Sequence, residues 1–138
     1  MTRIAAAPAK HDRDSATQYK IGSRISTLFA EELVEKSGIA RSGQQRLVVF
    51  DNACGTGAVS STLHQTLGDE ITRHWHLTSG DISEAMVEIS KQKMNEEGWR
   101  NAEVKVVDAQ DTRLPSAHYT HVFSAFGRLT WTPGKGLY

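Results

Sequence analysis

The stretch that most constrains this chain is Leu47-Val48-Val49-Phe50-Asp51-Asn52-Ala53-Cys54-Gly55-Thr56-Gly57-Ala58-Val59-Ser60. Four apolar residues with β-branched Val48 and Val49 read as a buried strand, and Asp51 stands at its end. A small-residue turn with two glycines follows, and helical spacing begins at Ala58. Strand, glycine turn and helix together make the layout of a nucleotide-type cofactor site at the carboxyl end of a parallel sheet. Bare backbone at Gly55 and Gly57 can lie against a ligand that any Cβ would push away.

The rest of the chain repeats this rhythm. Residues 1–17 read as a flexible leader. In 22–37, Ile25, Leu28, Phe29, Leu33 and Val34 recur at spacings that predict an amphipathic helix, with Gly38 as the residue that ends it. Strands are expected near 46–51, 75–80, 103–108 and 119–124. Between the first two, Val59, Leu63 and Leu67 mark a helix closed by Gly68. Ser83 is a good N-cap for a third helix with Met86, Ile89 and Lys93 on one face and Gly98 past its end. This alternation predicts an α/β fold, a Rossmann-like, doubly wound, mostly parallel sheet with helices on both faces, and makes residues 18–138 one cofactor-binding unit.

Composition narrows the function. Lys plus Arg and Asp plus Glu both total 16, so no basic stripe argues for nucleic acid. No apolar run reaches the ~20 residues that cross a bilayer, so no membrane partner is expected. The single cysteine excludes an internal disulfide framework and fits a reducing compartment, giving a cytoplasmic expectation.

Three glycine-turn chemistries compete. A Walker-type loop needs Gly-Lys-Ser/Thr, which does not follow Gly57. The dinucleotide fingerprint is only partly met, because Ser60 stands where its third glycine belongs. What distinguishes this chain is an acid at the end of each of the first three strands: Asp51, Asp81 and Asp108. On these features the sequence resembles the class I S-adenosylmethionine-dependent methyltransferases. It is most similar to small-molecule enzymes, frequent in fungi, with an Asp-Asn-Ala-Cys-Gly-Thr-Gly loop. The resemblance implies that Asp51, Asn52, Ala53, Gly55 and Gly57 belong to the loop that wraps the methionine part of S-adenosyl-L-methionine. It implies that Asp81 bonds the ribose hydroxyls, and that Ile82, with Met86 beyond it, lies at the adenine. Asp108 would take the adenine amino group, the backbone of Ala109 would meet the ring, and Ser124 ends a fourth strand across the switch point from the first.

Elementary chemistry supports these roles. One ionised carboxylate accepts both donors of a ribose diol. Asp81 follows Gly57 by 24 positions, near the ~20 expected of a ribose-reading acid. A sulfonium carries positive charge and no phosphate, so acids around its pocket are tolerable. Methyl transfer needs alignment above all, and no catalytic side chain or metal ligand is assigned.

Plainer readings stand beside the sharper ones. Asp51 and Asp81 can cap turns, and Asp111 competes with Asp108. Cys54 sits before a helix N-terminus, where a thiol can acidify, yet no histidine is near it in sequence, so it reads as packing. His74, His76, His118 and His121 read as exposed strand-end residues. Tyr19 and Arg24 are candidates to close over the cofactor. The chain departs from the family at Tyr119-Thr120, where a Phe-Asp pair is usual, and it ends soon after the fourth strand, so the sheet is expected to be incomplete at its C-terminus. A fourth strand left at an edge invites a partner chain or self-association. The expected function is methylation of a small-molecule acceptor, with reduced or no activity from this length alone. A non-catalytic S-adenosylmethionine-binding relative and an NAD(P)-dependent Rossmann oxidoreductase are the rivals.

Overall fold

The computed structural model describes residues 10–43 and 46–125, with side chains from residue 21 onward. Residues 1–9 of the expected leader, the side chain of Tyr19 and everything beyond Ala125 lie outside the described residues.

The first helix, α1, runs from Lys10 to Ser37. It therefore starts inside the stretch expected to be a leader, because residues 10–21 contain no proline or glycine to interrupt a helix. Gly38 follows in the left-handed region at φ 68°, as a helix-ending glycine should, and Ile39–Arg41 form one 3₁₀ turn. Four strands follow: β1 (Val48–Asn52), β2 (His76–Asp81), β3 (Ala102–Val106) and β4 (His121–Phe123). Helix α2 (Ala58–Thr72) links β1 to β2, and α3 (Glu84–Glu96) links β2 to β3. Gly68 leaves helical geometry at φ 75° and ψ 172°, so α2 breaks there and resumes for one turn.

The sheet order is β3-β2-β1-β4, and every pairing is parallel. The central strands are buried along nearly their whole length, as parallel strands covered on two faces must be. Ala30 and Val34 of α1, Leu63 and Leu67 of α2, and Met94 of α3 share one core with Val49, Leu77 and Phe123. All three described helices thus lie on one face of the sheet, which differs from the expectation of helices on both. The other face is covered by coil, because the connection from β3 to β4 carries Pro115 and turn residues instead of a helical period. There Tyr119 packs on Phe50 with ring centroids 5.3 Å apart.

Two of the predicted apolar stripes need correction. In α3 the buried positions are Val87, Ser90 and Met94, while Ile89 is 43% exposed. A serine in the buried stripe hid that face from a hydrophobic reading. In α1, Ala30 and Val34 are buried with Leu33 partly so, whereas Ile25, Leu28 and Phe29 are exposed.

The departure at Thr120 is made good locally. Its Oγ1 accepts from the Val48 N–H at 3.0 Å and donates to the Val48 carbonyl at 3.0 Å, and its own N–H reaches that carbonyl at 2.7 Å. A threonine thus supplies the hydrogen-bonding group that the missing acid would have brought to the start of β4.

One glycine is demanded by packing. A Cβ on Gly80 would stand 2.7 Å from both Cβ and Cγ2 of Val107, which no side chain can do without displacing backbone. Gly80→Ala is therefore expected to destabilise the fold by about 1–3 kcal/mol. Urea denaturation checks this, and a variant as stable as the parent would refute the close approach.

Candidate active site

The carboxyl ends of β1, β2 and β3 open into a cavity of about 390 Å³. Its floor is Asp51 and the turn Ala53-Cys54-Gly55-Thr56, continued by Ala58 and Val59 at the start of α2. Asp81 and Ile82 come from the end of β2, and Val107, Asp108, Ala109 and Gln110 from the segment after β3. Ser26 of α1 and Ala125 after β4 complete it. Of the residues singled out from sequence, the cavity wall contains Asp51, Ala53, Gly55, Asp81, Ile82, Asp108 and Ala109. It does not contain Asn52, Gly57, Met86 or Ser124. The four histidines stand at the opposite, N-terminal ends of β2 and β4, and Arg24 is exposed.

Strand alternation explains the split between Asp51 and Asn52. The Asn52 side chain is fully buried, and neither its nitrogen nor its oxygen has a hydrogen-bond partner among the described residues. Asp51 faces the helices. Its Oδ2 accepts from Ser60 Oγ at 2.6 Å, and Ser60 Oγ lies 2.8 Å from Ser79 Oγ. Since the single Ser60 proton goes to Asp51, Ser79 is the donor in the second bond. The serine that spoiled the dinucleotide fingerprint is thus the residue that ties β1, α2 and β2 together.

The turn is held from two sides. Asp81 Oδ2 accepts from the Gly55 N–H at 2.8 Å, and its Oδ1 accepts from the Ser83 N–H at 2.9 Å. Ser90 Oγ donates to the Gly55 carbonyl at 2.9 Å. Each oxygen of Asp81 keeps a second lone pair for a ligand donor. Its turn-capping role is real and does not exclude a ligand. Gly55 and Gly57 adopt φ 55° and 92°, conformations that suit glycine, and Ala53 enters the turn at φ 54°. Ser83 caps α3 by accepting from the Met86 N–H, which fixes Met86 in the first turn of the helix. Asp108 Oδ1 accepts from the Gln110 N–H at 2.9 Å, and its carbonyl accepts from the Asp111 N–H, so Asp108 rather than Asp111 reaches the cavity.

Charge in the cavity is one-sided. Asp51, Asp81 and Asp108 line it, with no lysine, arginine or histidine in its described wall. Burial pushes the Asp51 carboxyl up to about 7 despite the opposing hydrogen bond from Ser60, and the nearby Asp81 charge adds to the rise. Burial, reinforced by Asp51 and Asp81, pushes the Cys54 thiol up to about 12, so the thiol stays protonated and serves as packing. Ser26, Val107 and Gln110 are wall residues that the sequence did not single out. Ser26 comes from α1, which carries no cofactor motif, and only folding brings it to the strand ends, whereas Val107 and Gln110 flank the Asp108-Ala109 pair.

The Asp51 shift has a stability consequence. A carboxyl near 3.8 unfolded and about 7 folded binds its proton more tightly in the native state. Its contribution is therefore whole below about pH 4 and declines as pH rises to about 7, by on the order of a few kcal/mol. Asp51→Asn keeps an acceptor for Ser60 and removes the titration. The expected result is a smaller loss of stability between pH 5 and 8 than in the parent, read by denaturant unfolding at both values. Equal losses would refute the assignment.

A methyltransferase domain model matches residues 49–137. Methyltransferase ktnA of Aspergillus niger is 72% identical over 137 residues, which cover 99% of this chain and 45% of that protein. Acetylaranotin bis-thiomethyltransferase of Aspergillus terreus is 46% identical over 114 residues, 83% of this chain and 42% of that protein. The chain thus spans less than half the length of these relatives. Among solved structures, a candidate S-adenosyl-L-methionine-dependent methyltransferase of Methanococcus maripaludis superposes with a TM-score of 0.65 over 95% of this chain and 57% of that one. At 17% identity, that likeness speaks to the fold alone. The glycine turn, the three strand-end acids and the matched domain agree: this chain belongs to the methyltransferase-domain family.

Proposed function

We propose that the cavity binds S-adenosyl-L-methionine and that the chain is the cofactor-binding portion of an enzyme that methylates a small molecule. The observation that carries this is the wall itself: three carboxylates and no cationic side chain among the described residues. Such a wall repels the phosphates of a dinucleotide and tolerates a sulfonium. In this reading Asp81 takes the ribose diol with its remaining lone pairs, and Ile82, 67% exposed, offers the adenine an apolar surface. Asp108 and Ala109 border the base, while Asp51, Ala53 and Gly55 border the methionine portion. Asn52, Gly57, Met86 and Ser124 act from outside the wall, by shaping the turn and the strand ends around it. The cofactor supplies an activated methyl group, and the chain's own contribution is to hold it and to exclude water.

A small-molecule acceptor is supported by the Aspergillus terreus relative, whose name describes methylation of sulfur on a metabolite. Nucleic acid does not suit a chain with equal numbers of acids and bases. No described helix is long and apolar enough to cross a membrane. A lone thiol, buried and protonated, fits the cytoplasm. Strand β4 is an edge of the described sheet and is where further strands or a partner chain would add.

Calorimetry separates the readings. S-adenosylhomocysteine is expected to bind and NAD is not; NAD binding without the homocysteine compound would overturn the proposal in favour of an oxidoreductase. Asp81→Ala is expected to weaken S-adenosylhomocysteine by at least ~10-fold, the scale of lost charge-assisted hydrogen bonds. A methylation assay on this chain alone is expected to show weak or no turnover.

A further inference from the structure

Of the three carboxylates in the cavity wall, Asp51 is held differently from the other two. Asp81 accepts from two backbone N–H groups and Asp108 from one, and neither residue is buried. Asp51 lines the same cavity yet is 1% exposed, and the side chains chained to it are the hydroxyls of Ser60 and Ser79. A hydroxyl brings a dipole and no charge. None of the ion pairs among the described residues includes Asp51.

The ionisable groups around Asp51 offer it no counter-ion either. Asp81 comes from β2, Asp108 from the segment after β3 and the Cys54 thiol from the turn. What α1, α2, α3 and the end of β4 bring is Ser26, Ser60, Ser90 and Ala125, none of which ionises in water. Burial, with the Asp81 charge adding to it, therefore holds the Asp51 carboxyl up at about 7, and below that pH it keeps its proton. A positive charge in the cavity reverses the balance. An opposite charge within ~4–6 Å favours the ionised form of a carboxyl by roughly 10-fold or more. The methionine portion of the cofactor bears two such charges, an ammonium and a sulfonium. Asp51, in the floor beside Ala53 and Gly55, is the wall group whose protonation they can change.

Resting on the cofactor reading above, we propose that Asp51 is the counter-ion for the positive charge of the methionine portion and gives up its proton as that charge enters, so that binding and proton release are one event. The carboxyl O–H bond breaks, its electron pair stays on Asp51 and the proton passes to buffer; no other bond changes. Because the ligand favours the ionised form, affinity rises as pH climbs toward about 7 and levels off above it, where Asp51 of the free chain is already ionised. The site thereby tells a cationic ligand from a neutral one of the same shape, and does so more sharply at neutral than at acid pH.

Titration calorimetry at about pH 5, 6 and 7, in two buffers of different ionisation enthalpy, counts released protons along with affinity. The range lies below the ~7.7–8.0 at which an α-amino group titrates, so the ligand keeps its own charge. The parent is expected to bind S-adenosyl-L-methionine roughly 10-fold more tightly at pH 7 than at pH 5, and to release about half a proton or more at pH 6. S-adenosylhomocysteine has the ammonium alone. Equal release with both ligands assigns the ammonium as the charge that Asp51 meets, and greater release with S-adenosyl-L-methionine brings in the sulfonium. Asp51→Asn, which cannot ionise, is expected to bind as the parent does at pH 5, to release nothing and to gain nothing by pH 7. Ser60→Ala removes the hydrogen bond that opposes the rise, so its gain in affinity and its proton release are expected to move to higher pH. That arm carries the assignment to Asp51 if Asp51→Asn does not fold. Binding without proton release overturns the proposal and leaves the cofactor reading standing. So does release that persists in Asp51→Asn, or that stays at the parent's pH in Ser60→Ala. Failure of both ligands to bind at every pH overturns the cofactor reading, and this proposal with it.

Discussion

A carboxylic acid buried at the end of a central strand is the constraint on which the rest of the structure depends. Asp51 is 1% exposed, and a group so placed costs several kcal/mol unless it is neutralised or hydrogen-bonded. The fold answers with Ser60 from α2 and Ser79 from β2, in contacts of 2.6 and 2.8 Å. The register follows from this, because Asp51 and Ser79 are direct partners across the β1–β2 ladder. A one-residue slip would turn Ser79 to the other face and strand the acid. The chain of three side chains therefore fixes how the first strand, first crossover helix and second strand meet. The cavity begins where that junction ends.

The same junction explains how so short a turn is held in shape. Gly55 has its N–H taken by Asp81 and its carbonyl taken by Ser90. One bond comes from the end of β2 and the other from the buried face of α3. The end of β2 and helix α3 thus both hold the backbone of Gly55, and Gly80 lets Val107 close in from below. Preorganisation of this kind is what a reaction driven by alignment requires.

Much of this was legible in the sequence, and the misses have physical causes. Strand-end acids, the glycine turn and the Ser83 cap are local signals, and Asp51, Asp81 and Asp108 stand together in the cavity. The buried face of α3 is not legible in hydrophobic spacing because Ser90 is there to bond backbone rather than to fill the core. The extent of α1 is not legible either, because polar residues before Gly22 form a helix as readily as apolar ones. Asn52, which the family resemblance puts in the cofactor loop, lies outside the cavity wall because neighbours on a strand face opposite sides.

By itself the sequence determined the element order, the parallel α/β class and the identity of the acids that end the strands. These rest on periodicity, chirality of crossovers and turn chemistry, all of which act over a few residues. Only the tertiary structure decided which atoms those acids bond, that Ser60 completes the Asp51 site, that Thr120 substitutes for an acid, and that Ser26 from a distant helix stands in the cavity wall. It also separated the two stripes of α1, one in the core and one outside it. Hydrophobic spacing reports that a residue seeks a dry surface, whereas which surface it finds depends on packing between elements far apart in the chain.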